Sequence, residues 1–319
     1  MTTTSAQRLA LFERMLLIRA YEERAVRLAK DHSFPGICSS LGQEAAAVGV
    51  VAALGPDDKI LTNHRSVGHL LARGADPGRI MAESMGRSTG YCKGKSGFLH
   101  VSAKELGVVL TSTIVGGELS MAPGVALAKQ QLGEPGIVAC FFGDGAACEG
   151  IFHEALNLAA VWKLPLLFVC ENNQWQAYVH RKETMVGDFI APWAASYGMG
   201  SETVDGNDVE AVYAAACDAV DNIRRTGMPY LLELNTFRQR PHLEPDEPPQ
   251  HDLDERAYWM GRDPIARMET RMLNADDLDR TRIAALRSAA EARIDAALQF
   301  AKDSPFPDVA ELTTEVYAD

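Results

Sequence analysis

The chain has 319 residues, 47% hydrophobic and 23% charged, with 31 Lys and Arg against 43 Asp and Glu for a net charge of −12. That balance argues against nucleic acid or an anionic membrane surface as the main partner, while leaving room for a local basic pocket that holds a phosphate. No apolar run approaches the roughly 18–20 residues that span a bilayer, and the opening MTTTSAQRLALFERMLLIRAYEERAV mixes acids and bases, so neither a membrane segment nor a signal peptide is expected.

Residues 6–31 carry Leu9, Phe12, Leu16 and Val26 at helical spacing between charges, which predicts an amphipathic helix. After the link FPGICSSLG, the Ala- and Val-rich segment Gln43–Leu54 suits a buried helix, Pro56-Asp57-Asp58 a turn and Lys59–Thr62 a short strand. From Gly86 to Gly117 the chain is dense in Gly and Ser: either a linker, or a backbone that must come close to something. No change of composition follows, as it would after a linker. Ser120–Gln131 reads as a small-residue helix able to pack tightly on a sheet.

Gly136–Phe142, between Pro135 and Gly143, has the pattern of a fully buried strand; Ala146–Trp162 is helical and Leu164–Cys170 is a second buried strand. Strand, helix and strand within about 35 residues make a βαβ unit, hence parallel strands and a right-handed crossover. A helix at Val209–Arg225, a strand at Tyr230–Thr236, a mobile loop rich in Pro and acid from Arg240 to Asp254 and a helix over 277–302 complete the chain. Cys38, Cys92, Cys140, Cys148, Cys170 and Cys217 form no CxxC pair, which predicts reduced thiols and a cytoplasmic location. The expected fold is one α/β domain, a parallel sheet with helices on both faces. A helical arm (1–40) and a helical extension (261–319) flank a core at 41–260.

The βαβ unit sets two polar clusters at the carboxyl ends of its strands, Gly143-Asp144-Gly145 and Asn172-Asn173. A carboxylate and an amide oxygen are hard donors that suit Mg²⁺ or Ca²⁺ rather than zinc. The glycines let a diphosphate approach the backbone, and a helix starting near Ala146 turns free N–H groups toward it. GDG alone is a common turn and NN a common strand end; joined by the βαβ unit they are far more specific.

The stretch GDGAACEGIFHEALNLAAVWKLPLLFVCENN resembles the thiamine diphosphate motif of the alpha subunit of the decarboxylating component of 2-oxo acid dehydrogenase complexes, and is similar in length and wording to acetoin dehydrogenase alpha subunits. MLLIRAYEE, LGQEAAAVGV, NHR, KGKSGFLH, STIVGG and VDGNDVEAVY agree, so the likeness runs from about residue 9 to the end. The resemblance implies that Asp144, Asn173 and the carbonyl of Trp175 bind Mg²⁺, and that Gly145 and Ala146 contact the diphosphate through N–H groups. It implies Arg65 as the diphosphate-binding arginine, beside His64 where many relatives have Tyr. Thr113 and Val115 match positions that hold the aminopyrimidine, and His242 in FRQRPHLE matches a mobile-loop histidine near the reactive carbon. The family's activating Glu comes from a separate beta subunit, so the resemblance implies an α₂β₂ heterotetramer, inactive as the alpha chain alone, with a small carbonyl substrate and a lipoyl-carrying acyltransferase as a further partner.

Three departures bear on the substrate. Cys38 stands where relatives usually have His, Val67 replaces another pocket His, and Arg240-Pro241-His242-Leu243 lacks a usual Gly and Ser. Losing two histidines makes the substrate side less polar and admits a non-oxidative carboligase, or a cofactor-binding scaffold, as alternatives to dehydrogenase chemistry. His69 and His100 read as structural, Cys148 as packing, and Glu149 and Glu154 as partner-facing or capping. The run Glu244–Gln250 reads as a lid. A simple nucleotide-binding module is disfavoured, for there is no GxGxxG after an early strand and no P-loop lysine.

Overall fold

The computed structural model describes residues 3–31, 34–246 and 253–314. Helix α1 (Ser5–Lys30) starts at a capping box in which Thr4 Oγ1 accepts from the Gln7 N–H and the Gln7 side chain accepts from the Thr4 N–H. Its buried stripe includes Phe12, Met15, Ile18 and Tyr21. Helix α2 (Glu44–Ala53) is buried along most of its length and leads to β1 (Lys59–Asn63), α3 (Val67–Ala72) and α4 (Pro77–Ser84). The Gly- and Ser-rich stretch is no linker: it folds into turns and then supplies β2 (Val108–Ser112), followed by α5 (Gly117–Leu132).

The βαβ unit is present as β3 (Val138–Gly143) and β4 (Leu166–Asn172), but its helix is split. A single turn, α6 (Asp144–Ala147), is followed by a break at Cys148 and Glu149, and α7 begins at Gly150 and ends at Trp162. The expected continuous helix from Ala146 is therefore corrected. A small hairpin, β5 (Trp175–Gln176) and β6 (Val179–His180), precedes β7 (Gly200–Asp205), α8 (Val209–Thr226) and β8 (Tyr230–Asn235). Helices α9 (Leu253–Met260), α10 (Pro264–Asn274) and α11 (Arg280–Asp303) follow.

Six strands form one parallel sheet in the order β2-β1-β3-β4-β8-β7. Alternate residues of β3 feed two cores. Ala139 and Phe141 join the core built with α1, α2 and α8, while Val138, Cys140 and Phe142 join the one built with α5 and α7. Because the chain steps outward from β1 to β2 and then returns to β3 on the other side, the crevice between the carboxyl ends of β1 and β3 is a topological switch point. All six cysteines are unpaired. Among the described residues no helix is long and apolar enough to cross a membrane. Of the expected lid, Glu244 bridges Ile37, and residues 247–252 lie outside the described part.

Candidate active site

A cleft of about 510 Å³ opens at that switch point, and all ten site residues expected from the sequence line it. β3 delivers Asp144, which is only 1% exposed and has one carboxylate oxygen, Oδ2, without a hydrogen-bond partner. Burial pushes its pKa up to about 6. A Cβ added to Gly143 would meet no atom within 4 Å, so the backbone here borders open space.

β4 delivers the asparagine pair, and the two divide the work. Asn172 is spent on the sheet, its Nδ2 donating to Glu233 Oε1 at 2.7 Å. Asn173 faces the cleft, its Oδ1 accepting from the Trp175 N–H at 3.2 Å. Gln174 between them and the hairpin has φ +74°, a conformation unusual for a residue with a side chain. Its amide offsets the strain by donating to Asn235 Oδ1 at 2.6 Å while accepting from Arg181 Nε at 2.8 Å. The ends of β4 and β8 are tied together by that side chain.

Arg65, beyond β1, and Arg238, beyond β8, are both buried. Arg65 donates to the carbonyls of Ser39 at 2.8 Å and His242 at 3.0 Å, and Arg238 to that of Ala177 at 2.7 Å. Arg238 Nε has no partner. Burial, then the charge of Arg65, push the Arg238 pKa down to about 9. Two buried cations held by carbonyls rather than carboxylates leave positive charge for an anion to neutralise. Arg238 was not among the expected residues. Its only signal in the sequence is a place four residues before His242 in FRQRPHLE.

His242 Nδ1 lies 3.1 Å from Arg65 Nη2 and 3.3 Å from Arg238 Nη1, and since guanidinium nitrogens only donate, Nδ1 accepts. Burial and these two charges push the His242 pKa down to about 4, and burial followed by Arg65 and His242 takes His64 to about 3. Both rings are neutral at pH 7. Ligand atoms of Cys38, His64 and His242 fall within 4.8 Å of one another, a soft donor set of the kind zinc takes. The two guanidiniums occupy the His242 lone pair and repel a cation, so the hard oxygens near Asp144 are the better place for a metal.

Thr113 and Val115 follow β2 on the cleft wall, while Gly145 and Ala146 belong to α6 and Trp175 opens β5. Two sequence expectations about the substrate side separate here. Cys38 lines the cleft, but Val67 packs against the larger core and does not. His69 is structural, as expected: its ring nitrogens meet Thr62 Oγ1 at 2.7 Å and Glu171 Oε1 at 3.0 Å. The exposed His100 ring stands 3.4 Å from Thr113 Oγ1. Glu149 holds the N-cap position of α7 without a side-chain cap bond, and Cys148 accepts from Gln176 Nε2 at 3.3 Å.

A doubly wound parallel sheet with a cation-ready carboxylate and an anion-ready arginine pair at its switch point defines a cofactor-dependent α/β enzyme subunit. The chain belongs to the dehydrogenase E1 component family, whose model matches residues 13–310. It is 38% identical to the alpha subunit of acetoin:2,6-dichlorophenolindophenol oxidoreductase of Bacillus subtilis, over 99% of this chain and 95% of that protein. It is 34% identical to the pyruvate dehydrogenase E1 component subunit alpha of Rhizobium meliloti, over 97% of this chain and 89% of that one. A 34% identity to the acetoin oxidoreductase alpha subunit of Cupriavidus necator covers 97% and 93%. The chain is thus an alpha-type subunit of a thiamine diphosphate-dependent, dehydrogenase-type enzyme that works with a beta subunit. The cleft fits that cofactor: the partnerless Asp144 oxygen awaits a cation, and the arginines await an anion.

Proposed function

We propose that the whole chain is one binding domain and that its cleft holds thiamine diphosphate through Mg²⁺, with the acyl unit of a small acyloin or 2-oxo acid as the group handled. Asp144, Asn173 and the Trp175 carbonyl hold the cation. Arg65, Arg238, His64 and the N–H groups of Gly145 and Ala146 face the diphosphate, and Thr113 and Val115 face the aminopyrimidine. When bound, thiamine diphosphate supplies a nucleophilic carbon and an electron sink for cleaving a C–C bond next to a carbonyl. His242, held neutral, serves the reacting centre as a hydrogen-bonding group rather than as a cation.

The beta chain supplies the activating Glu in an α₂β₂ assembly, and a lipoyl-carrying acyltransferase receives the acyl unit. Relatives whose names carry acetoin and pyruvate support this choice of substrates. The six unpaired cysteines support a cytoplasmic location. Cys38 in the cleft favours the second reading, a non-oxidative carboligase, because a thiol replaces the imidazole usual in relatives.

The observation that carries the proposal is the buried Asp144 carboxylate oxygen with no partner, in one cleft with two arginines that, among the described residues, no carboxylate pairs. Calorimetry of the complex with its beta chain tests it. Thiamine diphosphate binds with Mg²⁺ present, binds far more weakly after chelation, and is lost in Asp144→Ala; retention in that variant overturns the assignment. Assay with acetoin or pyruvate then decides the acyl unit's fate. Turnover that requires dichlorophenolindophenol marks the dehydrogenase, and a new C–C bond without an acceptor marks the carboligase.

A further inference from the structure

Glu83, near the end of α4, is fully buried and lies outside the cleft. Its Oε2 accepts from the backbone N–H groups of Cys92 at 2.7 Å and Gly94 at 2.9 Å, and its Oε1 from the N–H of Ser96 at 2.8 Å and its hydroxyl at 2.9 Å. All four donors are neutral and come from one short loop. The chain can pass this close only as glycine at position 90, where a Cβ would stand 2.3 Å from Glu83 Oε2. A buried carboxylate is costly unless hydrogen bonds surround it, so a fixed anion wrapped by a loop specifies that loop's shape.

The loop continues into the cleft wall. The Leu99 carbonyl accepts from Thr111 Oγ1 at 2.8 Å, the Val109 carbonyl from Ser102 Oγ at 2.8 Å, and the His100 ring meets Thr113 Oγ1. Leu99 and Thr113 line the cleft. We propose that Glu83 is a positioning residue that fixes the 92–96 loop and, through it, the Leu99–Thr113 wall against which the aminopyrimidine end of the cofactor packs. The inference rests on the thiamine diphosphate reading of the cleft. It assigns Glu83 no share in the anion cradle, since Arg65, Arg238 and Asp144 make no hydrogen bond to the loop.

Only a carboxylate serves here. An amide of the same shape would turn an NH₂ group toward at least one backbone N–H, of Ser96 or of Cys92 and Gly94, and leave it unsatisfied. The test is calorimetry of the alpha–beta complex carrying Glu83→Gln, titrated in Mg²⁺ with thiamine diphosphate and separately with inorganic pyrophosphate. The expected result is an affinity for thiamine diphosphate lower by about tenfold, with that for pyrophosphate held within about twofold. Ser96→Ala, which removes a single donor, gives a smaller loss in the same direction and serves if Glu83→Gln does not fold. Equal losses for both ligands mean a general structural role and overturn the proposal, as does no loss in either variant. A wild-type complex that takes pyrophosphate but not thiamine diphosphate overturns the cofactor reading itself.

Discussion

Arg238 shows what burial does to a charge that, among the described residues, forms no ion pair. It is pressed toward its neutral form by desolvation and by Arg65; one Nη2 donor goes to a carbonyl and one Nη1 donor to an imidazole, while Nε stays without a partner. Removing one member of a like-charged buried pair relieves repulsion, so Arg238→Met should leave the empty protein as stable as wild type or more so. The same change should weaken pyrophosphate binding by about 2 kcal/mol, roughly thirtyfold, because a charge-assisted hydrogen bond to the anion is lost. Thiamine without its phosphates should bind both proteins alike. Thermal midpoints with and without ligand, beside titrations of the two compounds, check both halves; a large fall in the midpoint of the empty variant would contradict the repulsion account. Asp144 and Asn173 were legible because GDG and NN are local words in the sequence. Arg238 was not, because its meaning lies in sharing the His242 Nδ1 acceptor with Arg65, and that arrangement joins segments after β1 and β8 that are distant in the chain.

At the scale of elements, what was legible follows from how completely each is buried. β3 and β4 are buried on both faces and read as unbroken apolar runs. β2 and β7 are the edge strands, and GSETVD in β7 carries no apolar run at all. The break between α6 and α7 is set by the backbone at Cys148 and Glu149, for which helical spacing gives no sign. The segment after β8 illustrates a consequence of docking an imidazole beside two cations, in addition to the contacts of Asp246 with the Tyr178 hydroxyl and of Gln239 with Asp263. It is seated by His242, whose pKa is carried from an ordinary 6.5 to about 4 by burial and two cations. Between those values the unfolded chain takes up a proton that the folded chain refuses. Stability conferred by the neutral ring is therefore full above about pH 6.5 and declines as the pH falls toward 4. His64 acts in the same sense over a wider window, down to about 3. Urea midpoints should drop from pH 7 to pH 5 in the wild type and drop less in His242→Gln. Equal drops would show that the imidazole is not held neutral in the fold.

Across the whole molecule, the cleft is built asymmetrically. The anion and cation groups are sunk at the sheet edge, with Asp144, Arg65 and Arg238 nearly inaccessible, whereas Val115 is 58% exposed and its neighbour Ile114 is 70% exposed. A cofactor seated here would keep its aminopyrimidine flank against water, and two apolar side chains would remain uncovered beside it. Such a rim costs free energy when left wet, and covering it with apolar surface from a partner recovers roughly 25 cal/mol per Å². On the proposed function, the beta chain completes the ring end of the cleft while the alpha chain by itself supplies the diphosphate end. It follows that the isolated alpha chain should bind pyrophosphate with Mg²⁺ almost as well as the complex does, yet hold thiamine diphosphate weakly and show no turnover. Addition of the beta chain should restore both cofactor retention and activity. Ile114→Asp places a charge on the rim without touching the sunken groups, and it should weaken association with the beta chain by about tenfold while sparing pyrophosphate binding. Analytical ultracentrifugation of the mixed subunits, read beside the two titrations, checks this division. If the isolated chain bound thiamine diphosphate as tightly as the complex, the ring end would already be complete without a partner, and the exposed pair would need another explanation.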